Sequence, residues 1–192
     1  MKKALLFAFV ASGLISAQSY ADQQTVDQVD LTRYVGTWYE IASIPQTFTK
    51  QCVSNTTAEY TSLPSGEIQV INSCDKSDGK RSVAEGHAKI VDTVTNAKLK
   101  VTFVKFFDWI YRFGGDYWIV GLEDNYRYAI VGHPTKEYAW ILSRDPAMSK
   151  EDLLTAYGTL QSNGYDTCKI MTTIQTSGIS VSTRLCDYVK GL

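Results

Sequence analysis

Short segments in which polar and apolar residues alternate recur along this chain, separated by turn-forming residues at intervals of roughly 8 to 12 positions. The clearest is the fifth, where Leu99, Val101 and Phe103 alternate with lysines and a threonine. Successive side chains of a strand point to opposite faces, so one face of this strand is apolar and the other is wet. The pattern predicts an all-β fold with eight strands, at about residues 38–43, 55–61, 67–74, 82–91, 98–103, 117–122, 126–132 and 138–143.

Eight strands with short connections are best arranged as an antiparallel up-and-down β-barrel, because closure removes the exposed sheet edges. In that topology the start of the first strand and the end of the eighth lie side by side. We therefore expect the guanidinium of Arg144 to lie over the indole of Trp38. Together with Gly36 and a short turn at residues 31–35, these two side chains would form the barrel floor, as a packing contact rather than a ligand contact.

The last three predicted strands are apolar on both faces, so they need a cover on the outside of the barrel. A single C-terminal α-helix can supply it. Ser149 is a candidate N-cap, Asp152 is placed to complete a variant capping box, and Gly164 would end the helix. The apolar stripe consists of Leu153, Leu154, Tyr157 and Leu160.

An eight-stranded barrel is either filled by its own side chains or holds one small ligand. Counting alternate positions from Trp38 and along the fifth and eighth strands predicts the lining of the interior. This lining comprises Glu40, Ala42, Leu99, Val101, Phe103, Trp140 and Leu142. Small Ala42 beside large rings favours a cavity. Glu40 does not fit an apolar lining, because a buried carboxylate needs a partner or a proton. An unpaired carboxylate there would also disfavour binding of a fatty-acid anion.

The loop after the fifth strand is rich in aromatic residues, which is unusual for a solvated connection. It lies at the end of the barrel opposite the floor, as does the loop containing Phe48. We interpret these residues as a binding mouth or a membrane-touching surface; the alternative is a plug folded into the barrel. The predicted mouth residues are Phe48, Phe106, Phe107, Trp109, Tyr111 and Phe113.

Four cysteines in an exported chain indicate two disulfides, for which three connectivities exist. Pairing Ser62 with Glu67 in the hairpin of the second and third strands brings Cys74 near Cys52, provided that a bulge or bend forms near residues 53–54. The other two, Cys168 and Cys186, would then pin the C-terminal extension that follows about residue 176.

Residues 1–21 have a basic start, an apolar stretch and a small-x-small site ending at Ala21, which predicts a cleaved signal peptide. Residues 22–192 would then form one domain. No cysteine lies near the cleavage site to carry a lipid anchor, so we expect an exported protein that is soluble in the periplasm, or secreted.

Lys and Arg total 19 against 20 Asp and Glu, without a basic cluster, so a nucleic-acid partner is not expected.

Five sequence blocks in order resemble the lipocalins, which are small secreted barrels that carry apolar ligands. The blocks are Gly36–Ala42, Gly66 with Val70-Ile71-Asn72, Tyr117–Val120, Asn125–Ala129 and Trp140–Arg144. Within that family the chain is most similar to bacterial outer-membrane lipocalins and apolipoprotein D. The resemblance implies binding or transport of an amphipathic lipid, a fatty acid or lysophospholipid, in envelope lipid homeostasis or stress. Resemblance to apolipoprotein D also implies a rival disulfide pattern, Cys52 with Cys186 and Cys74 with Cys168.

Catalytic residues are scarce in this chain. His87 and His133 are the two histidines, and neither belongs to a nucleophile–base pair or a metal-ligand spacing. We therefore predict a binding protein that is a monomer or weak dimer, without metal or cofactor. The alternatives are a lipocalin-type enzyme that uses a free thiol, or a haem or pigment binder.

Overall fold

The protein is described here by a computed structural model covering residues 23–192. The predicted signal peptide, residues 1–21, lies outside the described residues. Eight strands form the barrel: β1 Gly36–Ser43, β2 Ser54–Ser62, β3 Ile68–Asp75, β4 Arg81–Ile90, β5 Lys98–Thr102, β6 Gly115–Leu122, β7 Tyr128–Gly132 and β8 Ala139–Ser143. The remaining elements are helices α1 Leu31–Tyr34, α2 Lys150–Ser162 and α3 Leu185–Lys190, with a two-residue strand β9, Met171–Thr172.

Each of the eight strands pairs antiparallel with the next, and β8 pairs with β1. The sheet is therefore a closed up-and-down barrel, as the sequence predicts. In the closing contact Tyr39 lies opposite Ser143, and Glu40 lies opposite Leu142. This register brings the start of β1 and the end of β8 to the same end, where the connection preceding β1 also lies.

The apolar residues form two separate clusters, one inside the barrel and one outside it. The inner cluster includes Trp38, Leu99 and Leu142. The outer cluster joins the outward faces of β6, β7 and β8 to helix α2 through residues such as Ile130 and Ile141. The predicted helical cover is thus confirmed.

Helix α2 differs from its predicted details in two respects. Ser149 caps the helix, since the Asp152 amide donates to Ser149 Oγ at 3.1 Å. The Asp152 carboxylate, however, accepts two hydrogen bonds from Arg127, at 2.7 and 3.0 Å, rather than completing a capping box. Leu154 is 40% exposed, and Ala156 is buried instead, because the buried residues Leu153, Ala156 and Leu160 recur every three or four positions and leave Leu154 off that face.

A bulge in β1 overturns one predicted cavity residue. The register shifts between Glu40 and Ala42, so that Ala42 lies opposite Ile141 in the outer cluster. Simple alternation from Trp38 puts Ala42 on the inner face, but the inserted residue reverses the alternation after Ile41. Ser43, which lies opposite Trp140, takes the inward position in its place.

The disulfides join Cys52 to Cys74 and Cys168 to Cys186, with Cα–Cα distances of 5.4 and 5.0 Å. This is the pairing inferred from the hairpin, and the rival pattern is not formed. The predicted register was wrong by one residue, because Ser62 pairs with Ile68. A bulge between Ser54 and Thr57 provides the bend that the first disulfide requires.

The C-terminal segment completes the barrel wall at a place where β1 and β2 separate. Only the first half of β1 pairs with β2, while Ala42 and Ser43 pair with β9. Gln175 then bridges the gap, since its side-chain amide donates to the carbonyl oxygens of Glu40 and Thr56 at 2.9 and 2.8 Å.

Candidate ligand-binding site

One end of the barrel is sealed by Trp38 and Arg144. Trp38 is fully buried, and the Arg144 guanidinium lies 3.7 Å from the centre of its indole ring. Arg144 also donates hydrogen bonds to four backbone carbonyls at the end of α1 and the start of β1. The acceptors are the carbonyl oxygens of Arg33, Tyr34, Val35 and Thr37, at 2.7–3.1 Å.

Gly36 permits this close approach. Its φ of +98° lies in a region that side-chain-bearing residues rarely adopt, and an added Cβ would stand 3.3 Å from the Arg144 guanidinium. The predicted floor residues therefore lie together at the closed end.

Above the floor, three tyrosines bring their hydroxyl groups together inside the barrel. The Tyr117 hydroxyl lies 2.8 Å from that of Tyr34 and 3.1 Å from that of Tyr60. Burial raises the pKa of Tyr60 to about 12 and the pKa values of Tyr34 and Tyr117 well above their ordinary value. All three hydroxyls thus keep their protons at neutral pH, and two mutual hydrogen bonds leave one O–H donor for a further acceptor.

The sequence pattern does not predict this tyrosine cluster. Tyr117 has a signal, because it lies opposite Leu99 and shares its inward face. Tyr34 has none, since it comes from a helical turn rather than from a strand. Nothing in the alternation indicates that three hydroxyls meet.

The opposite end of the interior is open. Gly115 lies opposite Val101 on the inner face, yet it is exposed, and an added Cβ would meet no atom within 4 Å. Ala84 faces inward opposite Asn72 and is also exposed. The Asn72 Oδ1 atom is buried without a hydrogen-bond partner among the described residues. The inner wall near the opening therefore combines small residues with a side-chain oxygen, that of Asn72, which lacks a hydrogen-bond donor.

The predicted lining residues range from buried positions in the inner cluster to exposed positions near the open end. Leu99 and Leu142 are each 4% exposed and belong to the inner cluster. Val101 and Trp140 are half-buried against that cluster, and Phe103 is 45% exposed near the opening.

Glu40 lies on the inner face of β1 and is half-buried. Its Oε1 atom accepts hydrogen bonds from Ser43 at 3.0 Å and from Thr173 at 2.6 Å. Burial raises the pKa of the Glu40 carboxyl above its ordinary value, and these two hydrogen bonds offset only part of that effect.

A lateral cleft of about 360 Å³ opens beside Glu40, between the loop after β1, the start of β2 and the segment around β9. Lys50 is the basic residue of its lining and Glu40 the acidic one. The remaining lining residues are Ser43, Pro45, Gln46, Thr49, Cys52, Val53, Thr56, Met171, Thr172, Thr173, Ile174 and Ser182. Neither alternation nor composition predicts that C-terminal residues contribute to this wall.

The aromatic loop between β5 and β6, residues 103–114, divides into an exposed tip and an anchored part. Phe106 and Phe107 at the tip are 69% and 96% exposed. Trp109 stacks on His87 with 4.3 Å between ring centres, and Tyr111 lies 4.7 Å from the Lys89 ammonium.

His87 and Lys89 point outward from β4, since the residues between and beside them, Gly86 and Ala88, face inward. Trp109 and Tyr111 therefore cover the outer wall rather than the mouth, because the loop folds outward. Phe48 and Phe113, each 59% exposed, lie in the loops at the open end. The described part of the loop does not form a plug.

The two histidines and the four cysteines all have identified contacts. His87 lies 3.1 Å from the Glu67 carboxylate on the outer wall, and His133 contacts the Thr135 hydroxyl at 2.9 Å. All four cysteines are in disulfides. Within residues 23–192, no group of three acidic, histidine or cysteine side chains could hold a metal ion.

Comparisons with known proteins agree with this geometry. A family model described as "Lipocalin-like domain" matches residues 29–175. Temperature-induced lipocalin-1 of Arabidopsis thaliana is 38% identical over 173 residues, covering 89% of this chain and 92% of the relative. Outer membrane lipoprotein Blc of Escherichia coli (strain K12) is 35% identical over 147 residues, covering 76% and 79%. Mouse apolipoprotein D is 32% identical over 157 residues, covering 78% of each chain.

Among solved structures, insecticyanin from the tobacco hornworm Manduca sexta superposes with a TM-score of 0.63. It is 24% identical and covers 85% of this chain and 93% of its own, which shows a shared fold. A closed barrel with one sealed end, one open end and an external helix defines the class of small β-barrel binding proteins. Within that class, the chain belongs to the lipocalin family, whose members bind small hydrophobic ligands.

Proposed function

We propose that this protein binds, and transports or stores, one amphipathic lipid with its hydrocarbon part inside the barrel. The observation that carries the proposal is a barrel sealed at Trp38 and Arg144 and open beyond Gly115. An apolar interior of this kind favours a hydrocarbon chain, since each buried methylene contributes about 0.8 kcal/mol. A fatty acid or a lysophospholipid has both the chain and a polar head for the open end.

Contact with a membrane is the second part of the proposal. Phe106 and Phe107 project at the open end, and Lys105 and Arg112 flank them. An exposed apolar tip with basic neighbours can enter the headgroup region of an anionic bilayer. Transfer of a lipid between the bilayer and the barrel would then take place without passage through water.

An exported location fits the chemistry of the chain. Two disulfides are typical of oxidising compartments, such as the periplasm or the extracellular space. Within residues 23–192, no helix is long and apolar enough to span a membrane. The names of the relatives, a temperature-induced lipocalin and an outer membrane lipoprotein, support a role in envelope lipid homeostasis or stress.

Fluorescence titration tests the binding proposal. Trp140 is on the inner wall, whereas Trp109 stacks on the outer wall. Titration with lysophospholipid or fatty acid below its micelle concentration should change the emission and saturate near one ligand per chain. The change should disappear in Trp140→Phe and persist in the matched control Trp109→Phe. Flat titrations of the wild type across fatty acids, lysolipids and retinoids would overturn the proposal.

A further inference from the structure

We propose that the cleft beside Glu40 is a headgroup site for a zwitterion, in which Glu40 binds an ammonium group and Lys50 binds the acidic group joined to it. This inference rests on the proposed function, because the hydrocarbon part of the same ligand would lie inside the barrel. It narrows the ligand class to amphiphiles with a zwitterionic head and disfavours simple fatty-acid anions.

The orientation of the Glu40 carboxylate is the first argument. Ser43 and Thr173 both donate to Oε1 and hold the group from one side. Oε2 accepts no hydrogen bond from residues 23–192 and is not among their buried unpartnered atoms, so it faces the cleft. A fixed carboxylate with one free, accessible oxygen is suited to an ionic contact with an ammonium group, including a quaternary one that has no N–H.

The lack of a compensating cation is the second argument. Among residues 23–192, no Lys, Arg or His side chain forms an ion pair with Glu40. Arg144 is committed to Trp38 and to backbone carbonyls at the other end of the barrel. A half-buried carboxylate without a cation costs folding free energy, and a cationic ligand would offset part of that cost.

The charge of the cleft is the third argument. Lys50 lies in the same lining and is exposed, so it forms the outer part of the site while Glu40 forms the inner part. A lone cation would be attracted by Glu40 and repelled by Lys50, whereas a zwitterion satisfies both. The volume of about 360 Å³ lies within the range of small-ligand sites, roughly 300–1,000 Å³.

Two residues that line the cleft also lie on the inner face of β1. Glu40 lies opposite Leu142, and Ser43 lies opposite Trp140, both of which belong to or pack against the inner cluster. A ligand whose chain contacts Trp140 would therefore place its head next to the Glu40 carboxylate.

Three probes with one chain length separate the possibilities: decylphosphocholine as zwitterion, decanol as neutral amphiphile and decanoate as anion. Dissociation constants would be measured by calorimetry with the full chain. We expect decylphosphocholine to bind on the order of ten-fold more tightly than decanoate, consistent with a charge-assisted contact. Glu40→Gln should weaken decylphosphocholine binding by a similar factor and strengthen decanoate binding, and it should change the binding of neutral decanol less than that of either charged probe.

Two further variants complete the test. Glu59→Gln removes a carboxylate from the exposed outer face of β2 and should change none of the three constants. Lys50→Gln should weaken decylphosphocholine binding more than it changes decanol binding. Suppose that decanol binds and that folded Glu40→Gln shows the same order of dissociation constants for the three probes as the wild type. The proposed headgroup site would then be wrong, but the proposed carrier function would still be supported. If none of the probes binds, the proposed function itself fails.

Discussion

Arg144 connects α1, β1 and Trp38 at the closed end of the barrel. Four carbonyl oxygens and the face of Trp38 surround one guanidinium. A planar group with five donors can serve this arrangement, whereas an ammonium group on a flexible chain cannot. The carbonyls of Arg33 and Val35 lie at the end of α1, where helix geometry leaves them without an intrahelical donor, whereas the Tyr34 carbonyl also accepts from the Trp38 indole at 2.8 Å.

Arg144→Lys should therefore lower the free energy of unfolding by about 2–4 kcal/mol, although the charge is retained. The lost hydrogen bonds and the weakened contact with Trp38 are the physical cause. Urea denaturation followed by tryptophan fluorescence measures the change. Arg112→Lys is the control, because Arg112 is exposed and stacks only on Phe113. Equal effects of both substitutions would contradict the structural role of the Arg144 contacts.

Glu40 leads to a pH prediction at the same scale. Its pKa is raised in the folded protein, so the folded state binds the proton more tightly than the unfolded state does. Stability therefore falls as the pH rises through the range between the unfolded and the folded pKa. Tyr60 on β2 is a titratable neighbour, and burial raises its pKa to about 12, so it keeps its proton in that range.

In the absence of ligand, Glu40→Gln should consequently be more stable than the wild type at pH 7, and the difference should disappear near pH 4. The glutamine oxygen can still accept the hydrogen bonds from Ser43 and Thr173, so the substitution removes mainly the charge. Thermal unfolding at both pH values measures the effect. A variant that is less stable at pH 7 would mean that the hydrogen bonds to the carboxylate outweigh its burial.

Residue positions were predictable where topology alone determines them. The meeting of Trp38 with Arg144 follows from closure of an eight-stranded barrel, whatever the local details. The position of Ala42 does not, because one inserted residue in β1 reverses its side. The contact of Thr173 with Glu40 joins residues 133 positions apart and has no signature in alternation or composition.

The loop between β5 and β6 is the element whose role differs most from expectation. The sequence showed an aromatic cluster, but it could not distinguish rings at the tip from rings that fold against the outer wall. The hairpin bridge between Lys105 and Trp109 separates the two, since it projects Phe106 and Phe107 into solvent. Strand β9 was also missed, because two residues are too short to show a period.

Replacing Phe106 and Phe107 with serine should slow lipid transfer to anionic vesicles several-fold and leave thermal stability almost unchanged. The two rings contribute little to folding because they are largely exposed, but they supply apolar area for contact with the bilayer. Transfer would be followed with a fluorescent lysolipid. Val94→Ser, at a position 82% exposed in the turn between β4 and β5, is the matched control. A large loss of stability in the double variant would place the rings in the core instead.

At the scale of the whole molecule, the barrel combines a rigid end with an adaptable one. Arg144, Trp38 and the tyrosine hydroxyls form a continuous network at the closed end. At the other end the wall is interrupted where β1 leaves β2, and the C-terminal segment fills the gap through Gln175. The disulfides lie at this end or in the C-terminal extension, which limits how far the wall can open.

Ligand binding should therefore change hydrogen exchange in an uneven pattern. Amides of the closed end, such as those of residues 36–39 and 58–60, should exchange slowly with or without ligand. Amides of Asn55, Thr173 and Gln175, which bond to backbone around the opening, should gain protection when decylphosphocholine binds. A ligand present at 100 times its dissociation constant stabilises the native state by about 2.7 kcal/mol, which is enough for a measurable change at these sites. Uniform protection of all strands would instead indicate that the barrel responds as one unit, with no separate adaptable end.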